Sequence, residues 1–480
     1  MRTPLPAWLA IGILGFWPSA PAAADLPMGT PLDTQQVMLN LFSADVTVRI
    51  DPGSQPFLTA ESLTEDGSGG AMEVQNGPEG VVVRRSDGDA GLRLRFDVAL
   101  RPEQVLHLAG NNLAVMLDAS AMPVEEEQGT SDEAPELLLD LKIDQSQLTV
   151  AAAQGLSVSG AGNWLRTDVT RGPMLLSLNG GSAEVHGHTG PLQLSGEAAD
   201  FLAEGVAGDI GATLAGGSLD VRDGAGLVSA EVRDAGLQFS SWRGPIHLSG
   251  ASSVVEARSC GGPDQTFELT GGGIEAVIDG QAGALTTRLE GGSLLLSGME
   301  GEARVEGLTE AQVTVTGFSG ALYLSLRGGS GAGVKGVTGA LRASVEDGRL
   351  VLDDIDRLDL SASRSEVTGQ AIRGLDRSEL ADATADLDLT ELSLDSGPKL
   401  VLRGSTQAAV TLPTPCIVKA DGAQAFDDTQ LEVTGCDHNA PGQGTRTAAL
   451  RRTYGGHALV LSVKLDPGAR IEVEGKASEP

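Results

Sequence analysis

The side chains able to do chemistry are few and far apart along the chain. His186-Gly187-His188 sets two imidazoles two positions apart; on a strand both fall on one face, with Glu184 at the same parity. Such a spacing can supply part of a metal site. No further His or Cys lies close in sequence, so His186 and His188 are the only metal candidates, and the expectation is an exposed polar pair with no bound cofactor. Carboxylates gather at Asp353, Asp354, Asp356 and Asp359, at Asp386 and Asp388, and in the run Glu125 to Glu127. Calcium favours oxygen-rich loops, but no EF-hand loop occurs. The string "GGSGAGVKG" lacks the Asp that calcium-binding Gly-Gly-x-Gly-x-Asp turns require.

Three cysteines leave three pairings open, and the odd number leaves one thiol over. Cys416 and Cys436 bracket a short stretch rich in Asp, Gly and Ala, which favours a local disulfide; closing a loop of that size constrains the unfolded chain by about 3 kcal/mol. Cys260, in "RSCGGPDQ", reads as a turn residue with no His nearby to activate it. Arg446, Arg451 and Arg452 form a basic cluster with the composition of a solvated face. No nucleophile elbow, phosphate loop or dinucleotide fingerprint is present. The expectation is a protein that is not an enzyme.

Positioning these residues is the work of a repeat. Leu285, Leu294, Ala303, Val313, Leu322, Leu341 and Leu350 recur at nine or ten residues, or nineteen where one is skipped. Each step is a short alternating strand entered through glycine, as in "GSLLLSG" and "GALYLSLRG". Gly172, Gly190, Gly208, Gly226 and Gly244 are spaced by eighteen, and Gly283, Gly301, Gly320 and Gly339 by eighteen or nineteen. Two steps therefore make one coil. A lone coil buries only a handful of apolar side chains at roughly 1.5–3 kcal/mol each, against about 1–2 kcal/mol of backbone entropy per ordered residue. Coils must stack to be stable. The predicted fold is all-β, a parallel β-solenoid with coils of about 18–19 residues, about fourteen of them extending ~65 Å at the interstrand spacing. Between the two glycine series, "SCGGPDQTFELTGGG" breaks register and reads as a loop leaving the stack.

The boundaries follow. Residues 1–24 carry Arg2, an apolar run from Leu9 to Trp17 and small residues before Asp25, the pattern of a signal peptide. Residues 25–136 form a non-repeating β-rich N-terminal cap with an acidic loop, 137–412 the repetitive solenoid, and 413–480 a small β cap bearing the disulfide. In that last segment, strands on either side of Asp466-Pro467-Gly468 read as a hairpin. Removing Arg2 takes the formal net charge from −32 to −33. Such a charge repels nucleic acid and anionic membranes, and no later stretch is long and apolar enough to span a bilayer. The expected location is extracytoplasmic: periplasm, medium or cell surface.

The order "VTVRI", "EGVVVRR", "LRLRFDVALRPEQVLHLAG" and then serial "G-x-L-x-L" units resembles the bacterial exported β-strand-repeat family provisionally labelled adhesins, a domain of unknown function. The resemblance covers most of residues 40 to 365 and rests on repeat pattern. It implies a solenoid of Gly-bounded strands and an interaction role. The chain departs from the pattern near residue 260, in the acidic stretch 123 to 136 and in the Cys-containing C-terminal segment. Three functions fit the sequence: a non-enzymatic interaction, adhesion or envelope scaffold with a protein or glycan partner; a lipid- or glycolipid-carrying β-groove; and a β-helix enzyme acting on acidic polysaccharide. The second requires an open, apolar-lined sheet. The third requires carboxylates converging from successive coils. A mature chain whose only Trp and Tyr are Trp164, Trp242, Tyr323 and Tyr454 is poorly supplied with sugar-stacking platforms.

Overall fold

A computed structural model describes residues 30–31, 36–50, 57–62, 72–77, 80–85, 94–100, 104–119, 139–392, 397–421, 431–439, 458–466 and 468–476. The fold is all-β, a parallel solenoid of about 14 turns between 139 and 403. Each turn crosses a front wall and then a back wall. The front ladder runs in register through Leu139, Leu156, Met174, Leu192, Ile210, Val228, Ile246 and Phe267. The back ladder runs through Leu148, Leu165, Ala183, Phe201, Leu219, Leu237 and Val255. The sequence makes a coil by strand alternation with a corner. In one turn, Leu192 and Leu194 point inward while Gln193 and Ser195 point out; after the corner, Ala199, Phe201 and Ala203 point inward again. Inward residues of both walls are at most a few per cent exposed along the whole rod.

Corners set the turn length. Many turn on one residue in a left-handed conformation whose N–H donates to a carbonyl of the next coil, as at Gly187 to Glu204 and Gly205 to Arg222; others, such as Gly180-Gly181 and Gly216-Gly217, use two. Glycines of the eighteen-residue series stack directly on one another. A Cβ on Gly208 would lie 2.0 Å from the Gly190 carbonyl oxygen, and one on Gly226 2.2 Å from that of Gly208. Only glycine permits that approach. A second device, inside the front-to-back corner, is a set of buried hydroxyl and amide side chains. The Ser146 hydroxyl donates to the Asp144 carbonyl and accepts from Leu113 N–H, and the Ser146 N–H donates to the Asn163 side chain. Ser253, Ser330, Ser365 and Thr406 repeat this arrangement. Each satisfies a corner N–H that would otherwise be buried unpaired.

The stack is not interrupted near residue 260. Ile246 pairs with Phe267 and Phe267 with Leu285, so this coil is merely longer than its neighbours. The surplus is absorbed as a register shift between Gly261 and Thr266. The expected loop leaving the stack is thus a bulge within strand Gly261–Gly272.

Both ends are interleaved. Strands Gln36–Phe42 and Ala44–Ile50, first in the chain among the full-length strands, do not form the end layer. They lie between the layer of Gly80–Arg85 and Leu94–Leu100 and the layer of Val105–Asn111 and Ala114–Asp118. Antiparallel strands Phe57–Ser62 and Met72–Gly77 cover the outer layer. At the other end, Leu459–Leu465 and Arg470–Lys476 insert between the layer of Lys399–Arg403 and Gln407–Pro413 and the layer of Cys416–Asp421 and Leu431–Thr434. The hairpin expected around Asp466-Pro467-Gly468 is therefore not formed. These two strands are the front and back walls of one coil and never pair with each other; Pro467 itself lies outside the described residues. The Cys416–Cys436 disulfide closes the outer C-terminal coil, with Cα atoms 5.0 Å apart.

Two outcomes follow. Val169 is a β-branched residue held at φ 54° with its side chain 61% exposed, so Val169→Gly relieves strain while sacrificing little burial; a stability gain of about 1 kcal/mol is expected, net of glycine's entropy, and a lower urea midpoint would contradict the corner geometry. Because strand Leu459–Leu465 bridges two layers, Val463→Asp should accelerate amide exchange at Ile417, Val418 and Leu402 together, whereas acceleration confined to residues 459–476 would refute the interleaving.

Candidate functional site

The interior offers no room for a ligand among the described residues. Every turn is a continuous loop of chain, and its inward side chains fill it, so the open apolar groove that lipid carriage requires is absent from the described coils. The chemistry-bearing residues found inside belong to the corner between the back wall and the next front wall. Residues that follow its left-handed position stack coil upon coil: Thr170, His188, Val206, Gly224, Trp242, Cys260. Trp242 lies over Gly224, where an added Cβ would sit 2.3 Å from its ring, and its indole N–H donates to the Gly226 carbonyl at 3.0 Å.

This placement overturns the shared face expected for His186 and His188. Gly187, at φ 64°, is the corner residue, and a left-handed residue breaks strand alternation. His186 therefore points out from the end of strand Arg171–His186 while His188 points into the core at 0% exposure. Outside, His186 Nδ1 meets Glu204 at 2.9 Å, with Glu184 3.7 Å from Nε2. Inside, His188 Nδ1 shares a 3.0 Å hydrogen bond with the Thr170 hydroxyl, and Nε2 has no partner meeting hydrogen-bond geometry. Burial pushes the His188 pKa below the ordinary histidine value, opposed in part by the carbonyls of Pro191, Thr170 and Gly190. Cys260 is likewise a core residue; burial raises its thiol pKa, and its sulfur lies 3.4 Å from the Arg258 carbonyl. Neither residue is placed to meet a substrate.

Three of the clustered carboxylates, Asp353, Asp354 and Asp356, are paired with cations. Asp353 meets Lys335 at 2.9 Å, and that hydrogen bond holds its carboxyl below the usual range. Arg373 gathers Asp354, Asp356 and Glu391. Asp388 accepts the Thr390 N–H at 3.1 Å. Among the described residues no three His, Cys, Asp or Glu side chains are grouped to hold a metal ion. Glu125 to Glu127, Arg446, Arg451, Arg452 and Tyr454 lie outside the described residues.

What remains is the outer face of the front wall. Because the register is parallel, one outward column carries Ser159, Ser177, Ser195, Thr213, Glu231 and Ser249 at equivalent positions of successive coils. This column continues to Ser325, Ser344 and Ser361. Its small side chains leave a shallow groove of about 960 Å³ along the N-terminal coils. Farther along, Arg304, Tyr323 and Arg342 stack in the neighbouring column, the guanidinium carbons 5.1 and 5.8 Å from the ring centre, beside a cleft of about 330 Å³. Sequence reasoning missed both columns. Aligning the chain at the coil period would have revealed them, since Arg304, Tyr323 and Arg342 are nineteen residues apart.

His188 supplies a pH test. The folded state resists protonating it, whereas the unfolded chain takes up that proton near pH 6.5. Its contribution to stability is therefore lost as pH falls below about 6.5. His188→Val, copying Val206 of the next coil, should gain stability relative to wild type as pH drops from 7.5 to 5.5. A difference independent of pH would contradict a buried neutral imidazole.

Comparison of the chain with protein families, curated proteins and solved structures returns no match.

Proposed function

We propose that this protein is an exported, non-enzymatic rod that binds a protein or glycan partner at the cell envelope through the outer face of its front wall. The observation that carries this reading is the register-matched column of hydroxyls on an open wall, backed by a filled interior. A parallel stack repeats an outward position at every coil, so a weak contact becomes a line of contacts. The resemblance to the adhesin-labelled β-strand-repeat family points the same way. Export agrees with the signal-like leader and with a disulfide, which persists in oxidising compartments. An acidic polysaccharide enzyme is the competing reading; against it stands the pairing of Asp353, Asp354 and Asp356 with Lys335 and Arg373, which engages those carboxylates in ion pairs within the rod. Lipid carriage is disfavoured by the filled core.

Incubating the mature chain with a panel of acidic and neutral polysaccharides should give binding without new reducing ends or unsaturated products. Binding should fall when Ser195 and Ser249 are both replaced by Glu on the front wall, and persist when Ser218 and Gln238 are so replaced on the back wall. Depolymerisation with turnover, or equal loss from both walls, would contradict the reading.

A further inference from the structure

The front wall's hydroxyl column explains a surface but not a ligand; the Arg304–Tyr323–Arg342 stack is more specific. Tyr323 occupies an outward position on strand Gln312–Leu326, with Arg304 at the equivalent position one coil before and Arg342 one coil after. The guanidiniums cover the two flanks of the ring, so the tyrosine acts as a spacer holding them two coils apart, about 9.6 Å at the interstrand spacing. Both arginines stay largely exposed, with side chains 63% and 65% accessible.

Their donors are also less committed than those of Arg357 and Arg364. Arg364 meets Asp347 and Glu346 at 2.6 and 2.8 Å, and Arg357 meets Asp376 at 2.6 Å. By contrast, Arg304 lies 3.4 Å from Glu302 and Arg342 3.8 Å from Asp359. A planar guanidinium with free edges accepts an incoming carboxylate in a bidentate fork. Although the chain as a whole is strongly acidic, this patch is not: in the two outward columns from Thr286 to Lys399, Arg288, Arg304, Arg342, Arg377 and Lys399 outnumber Glu306, Asp359 and Glu379.

The rest of the cleft narrows the ligand class. Ser325, Ser344 and Ser361 line it at successive coils, which suits a polyhydroxyl chain lying along the rod. A peptide strand is a poorer fit, because backbone groups in the middle of the wall are already paired with coils on both sides and offer no sheet edge to extend. We propose that Arg304, Tyr323 and Arg342, with the adjoining serines, form a binding site for an acidic glycan whose carboxylates recur at alternate sugars, each guanidinium taking one carboxylate. This deepens, and rests on, the reading of the front wall as a binding face.

The test is calorimetric titration of the mature chain at low salt with an octasaccharide of alternating glucuronate and N-acetylglucosamine. Its carboxyl-reduced form and an oligoglutamate peptide serve as comparison ligands. The expected result is binding that weakens at least tenfold in R304Q, R342Q and Y323A, is largely retained in Y323F, which keeps the spacer ring, and is lost on carboxyl reduction. All four variants alter exposed or half-exposed side chains, and an unchanged thermal midpoint separates lost affinity from lost fold. No binding, equal binding by wild type and the arginine variants, or tighter binding of oligoglutamate would overturn the site. Cleavage of the octasaccharide would instead overturn the non-enzymatic reading, and intact octasaccharide bound regardless of these substitutions would leave the face standing while removing this site from it.

Discussion

Everything in this molecule depends on backbone hydrogen bonds running from each coil to the next in unshifted parallel register. A parallel strand cannot satisfy its N–H and C=O groups within its own coil, so every turn needs a neighbour on each side. The same constraint fixes which residues meet. With strands held at one interstrand spacing, equivalent positions stack, and a residue type that suits one coil is tested against its counterparts above and below. Gly190, Gly208 and Gly226 stack because a Cβ would strike the preceding carbonyl. Ser253, Ser330, Ser365 and Thr406 each close the hydrogen-bond deficit of a corner in the preceding coil. Outside, Arg304, Tyr323 and Arg342 form a stack that no single coil could make.

A ladder that needs neighbours leaves a problem at each end, since an unpaired edge invites aggregation. The chain meets it twice in the same way. The first coil at one end and the last coil at the other both lie inside a further layer, so Gln36–Phe42 and Ala44–Ile50, and likewise Leu459–Leu465 and Arg470–Lys476, are held from two sides. The layers beyond them are shielded by antiparallel strands at one end; at the other, the coil closed by the Cys416–Cys436 disulfide is followed by one short parallel strand, Asp437–Asn439, laid on Cys416–Asp421. With ends closed and interior filled, the outer walls are what the described part of the molecule presents to partners. The two are not alike. The back wall carries interlocked charges such as Glu184, His186 and Glu204, whereas the front wall carries a run of small hydroxyls over its N-terminal coils and, farther along, one aromatic stack among charged side chains.

Coil length and parallel stacking were legible in the sequence because the glycine spacing reports a steric requirement directly. Local alternation could not reveal the corners that reverse it, and the two histidines show the cost of that blindness: Gly187 sends His186 to solvent and His188 into the core. The same effect placed Cys260 inside, although its Gly-rich flank reads as an exposed turn. The end layers were illegible for another reason. Strands Leu459–Leu465 and Arg470–Lys476 alternate properly and are joined by turn residues, the pattern of a hairpin, and only long-range pairing decides that they become opposite walls of one coil. The candidate site lay hidden because its residues are neighbours in space at a coil's distance in sequence.

The central claim is that outward front-wall residues lie on one straight column with one coil per step. Spin labels at Ser177 and Ser249 are four coils apart in the ladder, and those at Ser177 and Ser344 nine coils apart. Pulsed dipolar spectroscopy on the two pairs should give backbone separations of about 19 Å and about 43 Å, in proportion to coil number. Two similar distances, or a longer pair that reads shorter, would contradict the parallel stack and the binding face built on it.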